Sequence, residues 1–198
     1  MSEVFYYYGK NSSYVFEQFI RHFLISIYGV LFAALIAIPL GFFVARRKKL
    51  SRITISIANV MQTIPSLAML AILMFAIGTG PNTVVFAVFL YAILPILKNT
   101  VSGINSVTPE LIDAATGMGM TKKQLMTKVE LPLAISIIMG GIRNALVLAI
   151  GVTAVGTFIG AGGLGDIITR GITVANGSPI IIAGAIPTAL MAVLADLV

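Results

Sequence analysis

Residues 113–132 read DAATGMGMTKKQLMTKVELP and lie between two long apolar stretches of the chain. Just before them, Thr108 and Pro109 form a typical helix start, because threonine is a favoured N-cap and proline is tolerated at the first helical position. Gly117 and Gly119 predict the end of this helix, since glycine is favoured where a helix stops. A short helix is therefore expected between the two apolar stretches.

A second short helix is predicted directly after the first. Thr121 and Gln124 have the spacing of a capping box, in which each residue satisfies a backbone N–H of the other. The helix should run toward Val129 and stop at Leu131 and Pro132, since proline cannot continue the backbone hydrogen bonds. The stretch therefore predicts two short helices joined at a glycine bend, a shape that another protein can bind.

The composition indicates a membrane protein. Hydrophobic residues make up 58% of the chain, charged residues only 10%, and the mean hydropathy is +1.02. A soluble domain has about a quarter of its residues charged. Cysteine is absent and only one histidine occurs, so neither a disulfide framework nor a metal site is expected.

Charge-free stretches predict about five transmembrane helices, since crossing about 30 Å of hydrocarbon takes about 20 apolar residues. No charge occurs between Arg52 and Lys98, and the turn cluster at 78–82 divides this run into two spans. Lys98 is expected to extend its side chain to the lipid interface. The predicted fold is a single all-α integral membrane domain, with spans at 23–45, 53–77, 83–104, 133–157 and 180–198 and the two-helix segment at 108–132.

Basic residues concentrate in two of the predicted loops, as is typical of cytoplasmic loops. The opposite side would hold only Lys10, Arg21 and Arg170. Five spans then place the N-terminus outside and the C-terminus inside. The two basic loops contain Arg46, Arg47, Lys48, Lys49 and Arg52, and Lys98, Lys122, Lys123 and Lys128. We interpret Arg46 to Lys49 mainly as a topology signal in contact with lipid headgroups.

The two ends of the chain give weaker signals. Residues 1–10 lack the basic start and the cleavage site of a secretory signal peptide, so no removable leader is predicted. Residues 196–198 still belong to an apolar run, which leads us to expect further C-terminal residues.

Two motifs allow other interpretations. The bent helix pair resembles a DNA-binding helix-turn-helix, but membrane spans tether it at both ends, and a folded loop without a partner remains a simpler alternative. Residues 160–165 fit the pattern Gly-x-Gly-x-x-Gly, yet they follow a span rather than a strand, so a tight external turn is favoured over a dinucleotide site. No phosphate-binding loop of the form Gly-x-x-x-x-Gly-Lys occurs, so the chain cannot bind ATP in this way and the energy for any transport would have to come from a partner protein.

The stretch 113–132 resembles the cytoplasmic motif of ATP-binding-cassette (ABC) importer permeases: Glu-Ala-Ala, three residues, Gly, nine residues, Ile, one residue, Leu-Pro. Two positions depart conservatively, Asp113 for Glu and Val129 for Ile. The resemblance implies a type I importer permease, a multi-pass protein of the plasma membrane of a bacterium, whose two short helices couple to an ATPase. The coupling residues it implies are Asp113, Ala114, Ala115, Gly117, Gly119, Thr121, Lys122, Lys123, Leu131 and Pro132.

The same resemblance implies the partners. The chain itself would be non-catalytic and hold no cofactor, while ATP and Mg²⁺ would bind two separate ATPase subunits. A second permease, identical or paralogous, and an extracellular substrate-binding protein would complete the transporter. Membrane lipid is a further expected partner, and nucleic acid is not.

The wider sequence is similar to permeases for quaternary-ammonium osmoprotectants: glycine betaine, carnitine and choline. The similarity lies in stretches such as 62–67, 91–100 and 158–165. A permease for another small solute, such as an amino acid, is the first alternative. An ion-coupled secondary transporter would need an internal repeat and membrane-buried acids, and neither is evident. A structural membrane anchor would not need bent, polar-rich spans.

Polar and aromatic residues within the spans are candidates for the substrate pathway. Polar groups in hydrocarbon are costly, and aromatic faces attract quaternary ammonium ions. Arg143 is charged within a span, where interfacial anchoring or pairing with a partner chain is favoured over a role in transport. The candidate pathway residues are Gln62, Thr63, Pro65, Tyr91, Asn144, Thr153 and Phe158.

Overall fold

The computed structural model describes residues 2–197, and every regular element in that range is helical. Four of the helices, α1, α4, α7 with the turns that precede it, and α9, are each long and apolar enough to cross a bilayer. Helices α2 and α3 pass the same test together as a bent pair. The helices are α1 (Ser2–Ala45), α2 (Lys48–Thr63), α3 (Ser66–Ile77), α4 (Pro81–Asn105), α5 (Pro109–Gly117), α6 (Lys122–Leu125), α7 (Leu131–Val155), α8 (Leu164–Thr173) and α9 (Ser178–Leu197).

Helices α1 and α4 pack closely because glycines face side chains across their contact. A Cβ added to Gly41 would lie 2.5 Å from a methyl carbon of Thr100, so only glycine fits there. Gly29 meets Val88 in the same way. The two pairs have the same separation in sequence, so α1 and α4 run parallel. Small residues allow this close approach in membranes, where packing replaces the hydrophobic effect between helices.

Helix α7 packs against α4 in the opposite direction. A Cβ on Gly141 would come within 2.6 Å of Asn99, and one on Gly156 within 2.6 Å of Val84. The order of these contacts along the two helices makes α7 antiparallel to α4. The core of the bundle therefore lies along α4, which has buried residues on most of its length.

The predicted span at 53–77 consists of two helices, α2 and α3, which meet at an angle of 96°. The break lies at Ile64 and Pro65, where proline removes a backbone donor and forces extended backbone on the residue before it. The Tyr91 hydroxyl donates to the Ile64 carbonyl, and Gln62 Nε2 donates to the Tyr91 carbonyl at 2.7 Å. The first contact satisfies a carbonyl at the bend, and the second satisfies a carbonyl of α4 that Pro95, which has no N–H, cannot reach.

Helix α1 is also longer than the span predicted at 23–45, since it begins at Ser2. The prediction searched for stretches without charges. Glu3, Lys10 and Glu17 interrupt residues 2–22, so this part of the helix was not detected. Helix α1 is kinked at Asn11, where φ is −124° and the side-chain amide donates to the Tyr7 carbonyl at 3.1 Å.

The predicted stop at Leu131 and Pro132 is wrong. A single helical stretch runs from Lys122 to Ile159, with a π-helical turn at Met126–Glu130. In this wider turn the Leu131 N–H donates to the Met126 carbonyl, and Pro132 lies in the first turn of α7. A proline is tolerated in a first turn, so the π turn lets the helix pass through it.

Helix α8 follows the glycine-rich residues 160–163 and was not predicted. It starts at Leu164 after Gly163, whose φ is +83°. The sequence indicated only a tight turn here, since ten residues rich in isoleucine and threonine give a weak helix signal.

A polar stripe on α1 holds the start of α8. His22 is fully buried, accepts from the Leu164 N–H at 3.2 Å and donates to the Ile150 carbonyl at 3.0 Å. Gln18 accepts from the Gly163 N–H at 2.7 Å. The α1 polar stripe consists of Tyr14, Gln18, His22 and Ser26, with the outer two bonded to Asp166 and Thr153. Each member sits four residues after the last, which places all of them on one face of α1.

Candidate functional site

The segment 108–132 forms a projection between α4 and α7. Helix α5 ends at Gly117, and Gly119 has a left-handed φ of +80° that turns the chain toward α6. This confirms the predicted glycine bend. Thr108 occupies the N-cap position as predicted, but its side chain makes no capping hydrogen bond.

The predicted capping box at the start of α6 is confirmed. The Gln124 N–H donates to Thr121 Oγ1 at 3.3 Å, and the Thr121 N–H donates to Gln124 Oε1 at 2.8 Å. Two backbone donors at the start of the helix are thereby satisfied by side chains. The box fixes where α6 begins, directly after the bend.

Most of the predicted coupling residues are exposed on this projection. Ala115 is the exception at 2% exposure, and Leu131 is half-buried. The exposed members are Asp113, Ala114, Gly117, Gly119, Thr121, Lys122, Lys123 and Pro132. They offer small residues, a carboxylate and two ammonium groups to a partner.

An apolar stripe on α5 was missed by the sequence argument. Leu111 is 48% exposed and Met118 is 72% exposed, with exposed Ala114 between them. Their spacing of three and four residues aligns them on one helix face, which is the pattern of helices that bind in a groove. That spacing was visible in the sequence. We call these three residues the α5 apolar stripe.

An ion pair connects the projection to the end of α1. Arg46 donates from Nη2 and Nε to Glu130 Oε1 at 2.8 and 3.2 Å. Glu130 closes the π turn between α6 and α7. Arg46, which the sequence argument interpreted mainly as a topology signal in contact with lipid, therefore has a protein partner as well. Arg47 instead stacks over the Phe43 ring at 4.2 Å.

A polar cavity of about 460 Å³ lies between α2, α4 and α7. Gln62 and Asn144, both predicted pathway residues, line it together. Lys98 lines it as well, although the sequence argument placed this lysine at the lipid interface. The other lining residues are Leu94, Pro95, Asn99, Ser102 and Leu148. The positions of Lys98, Asn99 and Ser102 on α4 give the signal that was missed, since they form a polar face within an apolar helix.

Five predicted pathway residues do not line this cavity. Tyr91 is buried and Pro65 exposed, both at the α2–α3 bend. Thr63 is exposed, and its hydroxyl donates to the Val60 carbonyl. Thr153 is buried and shares a hydrogen bond with Ser26. Phe158, in the turn that follows α7, is 63% exposed. Polarity alone could not tell which face of a helix each residue occupies.

Arg143 has a buried side-chain nitrogen without a hydrogen-bond partner in the part of the chain that the structure describes. This nitrogen is Nε. A buried guanidinium nitrogen without an acceptor is costly.

The glycine pattern at 160–165 leads from a 3-10 turn (Gly156–Ile159) into α8, with helices on both sides. This is not the strand-turn-helix setting of a dinucleotide site. Within residues 2–197, no group of three or more His, Cys, Asp or Glu side chains could hold a metal ion.

Comparison with known proteins identifies the class. Residues 37–198 match the family described as "Binding-protein-dependent transport system inner membrane component". The structure aligns with the inward-facing methionine ABC transporter MetNI at a TM-score of 0.81, covering 92% of this chain and 91% of that chain. At 21% identity this likeness concerns the fold alone.

Much closer relatives exist among characterised bacterial permeases. The carnitine transport permease protein OpuCD of Listeria monocytogenes is 63% identical over 96% of this chain and 85% of that protein. The glycine betaine/carnitine/choline permease OpuCD of Bacillus subtilis is 59% identical over 97% and 84%. The choline permease OpuBD of the same species is 55% identical over 100% and 87%.

The chain therefore belongs to the family of inner-membrane components of binding-protein-dependent transport systems. It is an all-helical, multi-pass protein of the bacterial plasma membrane with the type I ABC importer fold. An ion-coupled secondary transporter is not favoured.

Proposed function

We propose that this chain is the permease subunit of an ABC importer for quaternary-ammonium osmoprotectants. The observation that carries the proposal is the high identity, over nearly the whole chain, to permeases named for carnitine, glycine betaine and choline. The polar cavity is compatible with such small solutes, because amide side chains of Gln62 and Asn144 can replace part of a solute's hydration.

The energy for import comes from a partner in this proposal. Two ATPase subunits bind ATP and Mg²⁺, and one of them binds the projection formed by α5 and α6 of this chain, while the other binds the second permease. Small residues there permit close approach, the α5 apolar stripe enters a groove, and Asp113, Lys122 and Lys123 pair with charges across the interface. The ion pair between Arg46 and Glu130 then carries the movement to α1 as well as to α7.

A second permease, identical or paralogous, completes the pathway. Lys98 and Asn144 are exposed in the polar cavity, so a facing subunit would enclose a solute between two such surfaces. The unpaired Nε of Arg143 is a candidate partner for an acceptor on that subunit. An extracellular binding protein delivers the solute at the opposite end from the ATPases.

The test is uptake in a bacterial strain that lacks its own osmoprotectant importers. The chain is expressed with its ATPase, binding protein and second permease, and uptake of radiolabelled glycine betaine, carnitine and choline is measured. We expect uptake of at least one of them, which an ATPase that cannot hydrolyse ATP abolishes. Uptake of an amino acid but of none of the three would contradict the substrate class. Uptake that persists with the inactive ATPase would contradict ATP coupling.

A further inference from the structure

The polar cavity between α2, α4 and α7 contains one charged side chain, that of Lys98. The other seven lining residues include three amides and one hydroxyl, and none of the eight is acidic or aromatic. The ion pairs found within residues 2–197 involve arginines only, so Lys98 has no carboxylate within 4 Å in that range. The cavity therefore carries a positive charge that this part of the chain leaves unpaired.

Lys98 lies in the packed part of α4 and not at its end. Leu97, directly before it, is fully buried, whereas the Lys98 side chain is exposed in the cavity. Helix α7 packs on α4 at Gly141, which meets Asn99, and again one turn further along α4 at Gly103. Ionisable residues at such positions in transmembrane helices are rare and typically face a substrate pathway or a partner group. Lys98 is thus a candidate for contact with the solute.

The amides beside Lys98 are already engaged with the backbone of α4. Gln62 Nε2 donates to the Tyr91 carbonyl at 2.7 Å, and Asn99 Nδ2 donates to the Pro95 carbonyl at 2.8 Å. The Lys98 ammonium group, by contrast, offers three N–H donors and no acceptor. The best complement to these donors is a carboxylate, because hydrogen bonds between an ammonium and a carboxylate are charge-assisted and about twice as strong as neutral ones.

The three proposed solutes differ in the group that would meet Lys98. Glycine betaine and carnitine carry a carboxylate as well as a trimethylammonium group, whereas choline carries a hydroxyl group and a net positive charge. An ammonium group attracts a carboxylate and repels a lone cation. Aromatic faces would attract the trimethylammonium group, but no aromatic residue within 2–197 lines the cavity. The carboxylate end is therefore the end of the solute that this cavity suits.

We propose that the Lys98 ammonium group pairs with the carboxylate of glycine betaine or carnitine as the solute crosses the membrane, an inference that rests on the proposed function. Lys98 is then a specificity-determining residue of the permease, separate from the selection made by the binding protein. The trimethylammonium end points away from Lys98, toward the facing permease. Choline lacks a carboxylate, so its passage does not depend on this lysine. The competing explanation is a lysine that only marks topology or anchors α4 at the lipid interface.

The chain has no cysteine, so Lys98→Cys places a single thiol in the cavity. The variant is assembled with a cysteine-free ATPase, binding protein and second permease, treated with a thiol reagent in detergent, and reconstituted in proteoliposomes. Initial uptake of radiolabelled glycine betaine, carnitine and choline is measured at concentrations that saturate the binding protein, so that its contribution is equal in all samples.

We expect Lys98→Cys to lower the uptake of glycine betaine and carnitine about tenfold, the effect of losing one hydrogen bond between charged groups. Aminoethyl methanethiosulfonate, which attaches an ammonium group to the thiol, should restore both rates. The neutral propyl methanethiosulfonate should not restore them. Choline uptake and basal ATP hydrolysis should stay at the parental level throughout.

Lys49→Cys is the matched control, because Lys49 is exposed near the start of α2 and lies outside the cavity. Its uptake should respond to neither reagent. Parental uptake of glycine betaine and carnitine by untreated Lys98→Cys, or full restoration by the neutral reagent, would overturn the proposal. So would an equal loss of choline uptake or a loss of basal ATP hydrolysis, because the lysine would then serve the structure.

The parental transporter separates this proposal from the proposed function. Import of none of the three solutes would refute the proposed function itself. Import of choline alone would leave the proposed function standing and would overturn the role of Lys98, because neither carboxylate-bearing solute would then be carried.

Discussion

Gly119 holds the turn between α5 and α6 in a left-handed conformation, with φ of +80°. We expect Gly119→Val to uncouple ATP hydrolysis from import while the protein remains in the membrane. A residue with a Cβ loses about 1–2 kcal/mol of stability in a left-handed backbone conformation. No other atom lies within 4 Å of the position that a Cβ on Gly119 would take, so the substitution changes the backbone conformation rather than the packing. ATP hydrolysed per solute imported, measured in proteoliposomes, should rise.

Gly140→Val provides the matched control, because Gly140 is helical and its surroundings are equally open. It should leave the ratio of ATP to solute unchanged. Equal ratios for the two variants would count against a coupling role for the bend.

His22 supports two backbone groups at once, the Leu164 N–H and the Ile150 carbonyl. We expect His22→Leu to lower the Tm of the detergent-solubilised protein, since both groups lose their partner. A hydrogen bond between membrane helices is worth about 1–2 kcal/mol in model peptides. His22→Gln keeps a donor and an acceptor, so its Tm should fall less. Identical Tm values for the two variants would show that these hydrogen bonds contribute nothing to stability.

Single residues differ in how well the sequence predicted them. The Thr121–Gln124 capping box was predictable because both partners lie within one helical turn. The Arg46–Glu130 ion pair was not, because 84 positions separate the partners and only the packing of α1 against the π turn joins them. Local hydrogen bonds can thus be inferred from spacing, whereas distant ones require the fold.

Among the helices, α5 carries the exposed apolar stripe that we expect to contact the ATPase. We expect Leu111→Asp and Met118→Asp to reduce the amount of ATPase that copurifies, because a charge would be buried at the interface without a partner. Thr116→Asp is the control, since Thr116 is exposed on a different face of α5. Equal retention of ATPase by all three variants would exclude the α5 apolar stripe from the interface.

Prolines show why element boundaries were partly mispredicted. At Pro132 a helix end was expected, but the π turn accommodates the missing N–H and the helix continues. At Pro65 one span was expected over 53–77, and the structure divides it into α2 and α3, with the Tyr91 hydroxyl of α4 donating to the carbonyl of Ile64 at the break. A sequence reveals that a donor is missing. It does not reveal which neighbour compensates for the loss.

In the whole molecule, α2, α4 and α7 form one polar cavity. We expect Asn144→Phe to abolish import while substantial ATP hydrolysis remains, because the ring would fill space that a solute needs. Met139→Phe is the control, since Met139 is 42% exposed on another face of α7 and lies outside the cavity. Radiolabelled uptake and phosphate release in proteoliposomes measure the two activities. Unchanged import by Asn144→Phe would place the pathway elsewhere.

The number of apolar stretches and the basic loops predicted the overall architecture. Which residues line the cavity could not be predicted in this way, because it depends on how each helix is rotated. Gln62, Asn144 and Thr153 were all predicted as substrate-pathway residues because they are polar residues within apolar spans. The structure separates them, because the glycine contacts that set the register of α7 on α4 turn Asn144 toward the cavity and Thr153 toward Ser26. Helix rotation and register depend on packing along the full length of two helices.

The α1 polar stripe has a consequence for biosynthesis. Gln18 finds its partner in Gly163, 145 positions later, and His22 bonds groups 128 and 142 positions later. When α1 leaves the ribosome, the residues that complete its hydrogen bonds have not yet been synthesised. A nascent chain that ends before residue 150 therefore carries the Gln18 and His22 side chains without any of these partners, and their hydrogen bonds can form only after the α7 and α8 segments have been synthesised.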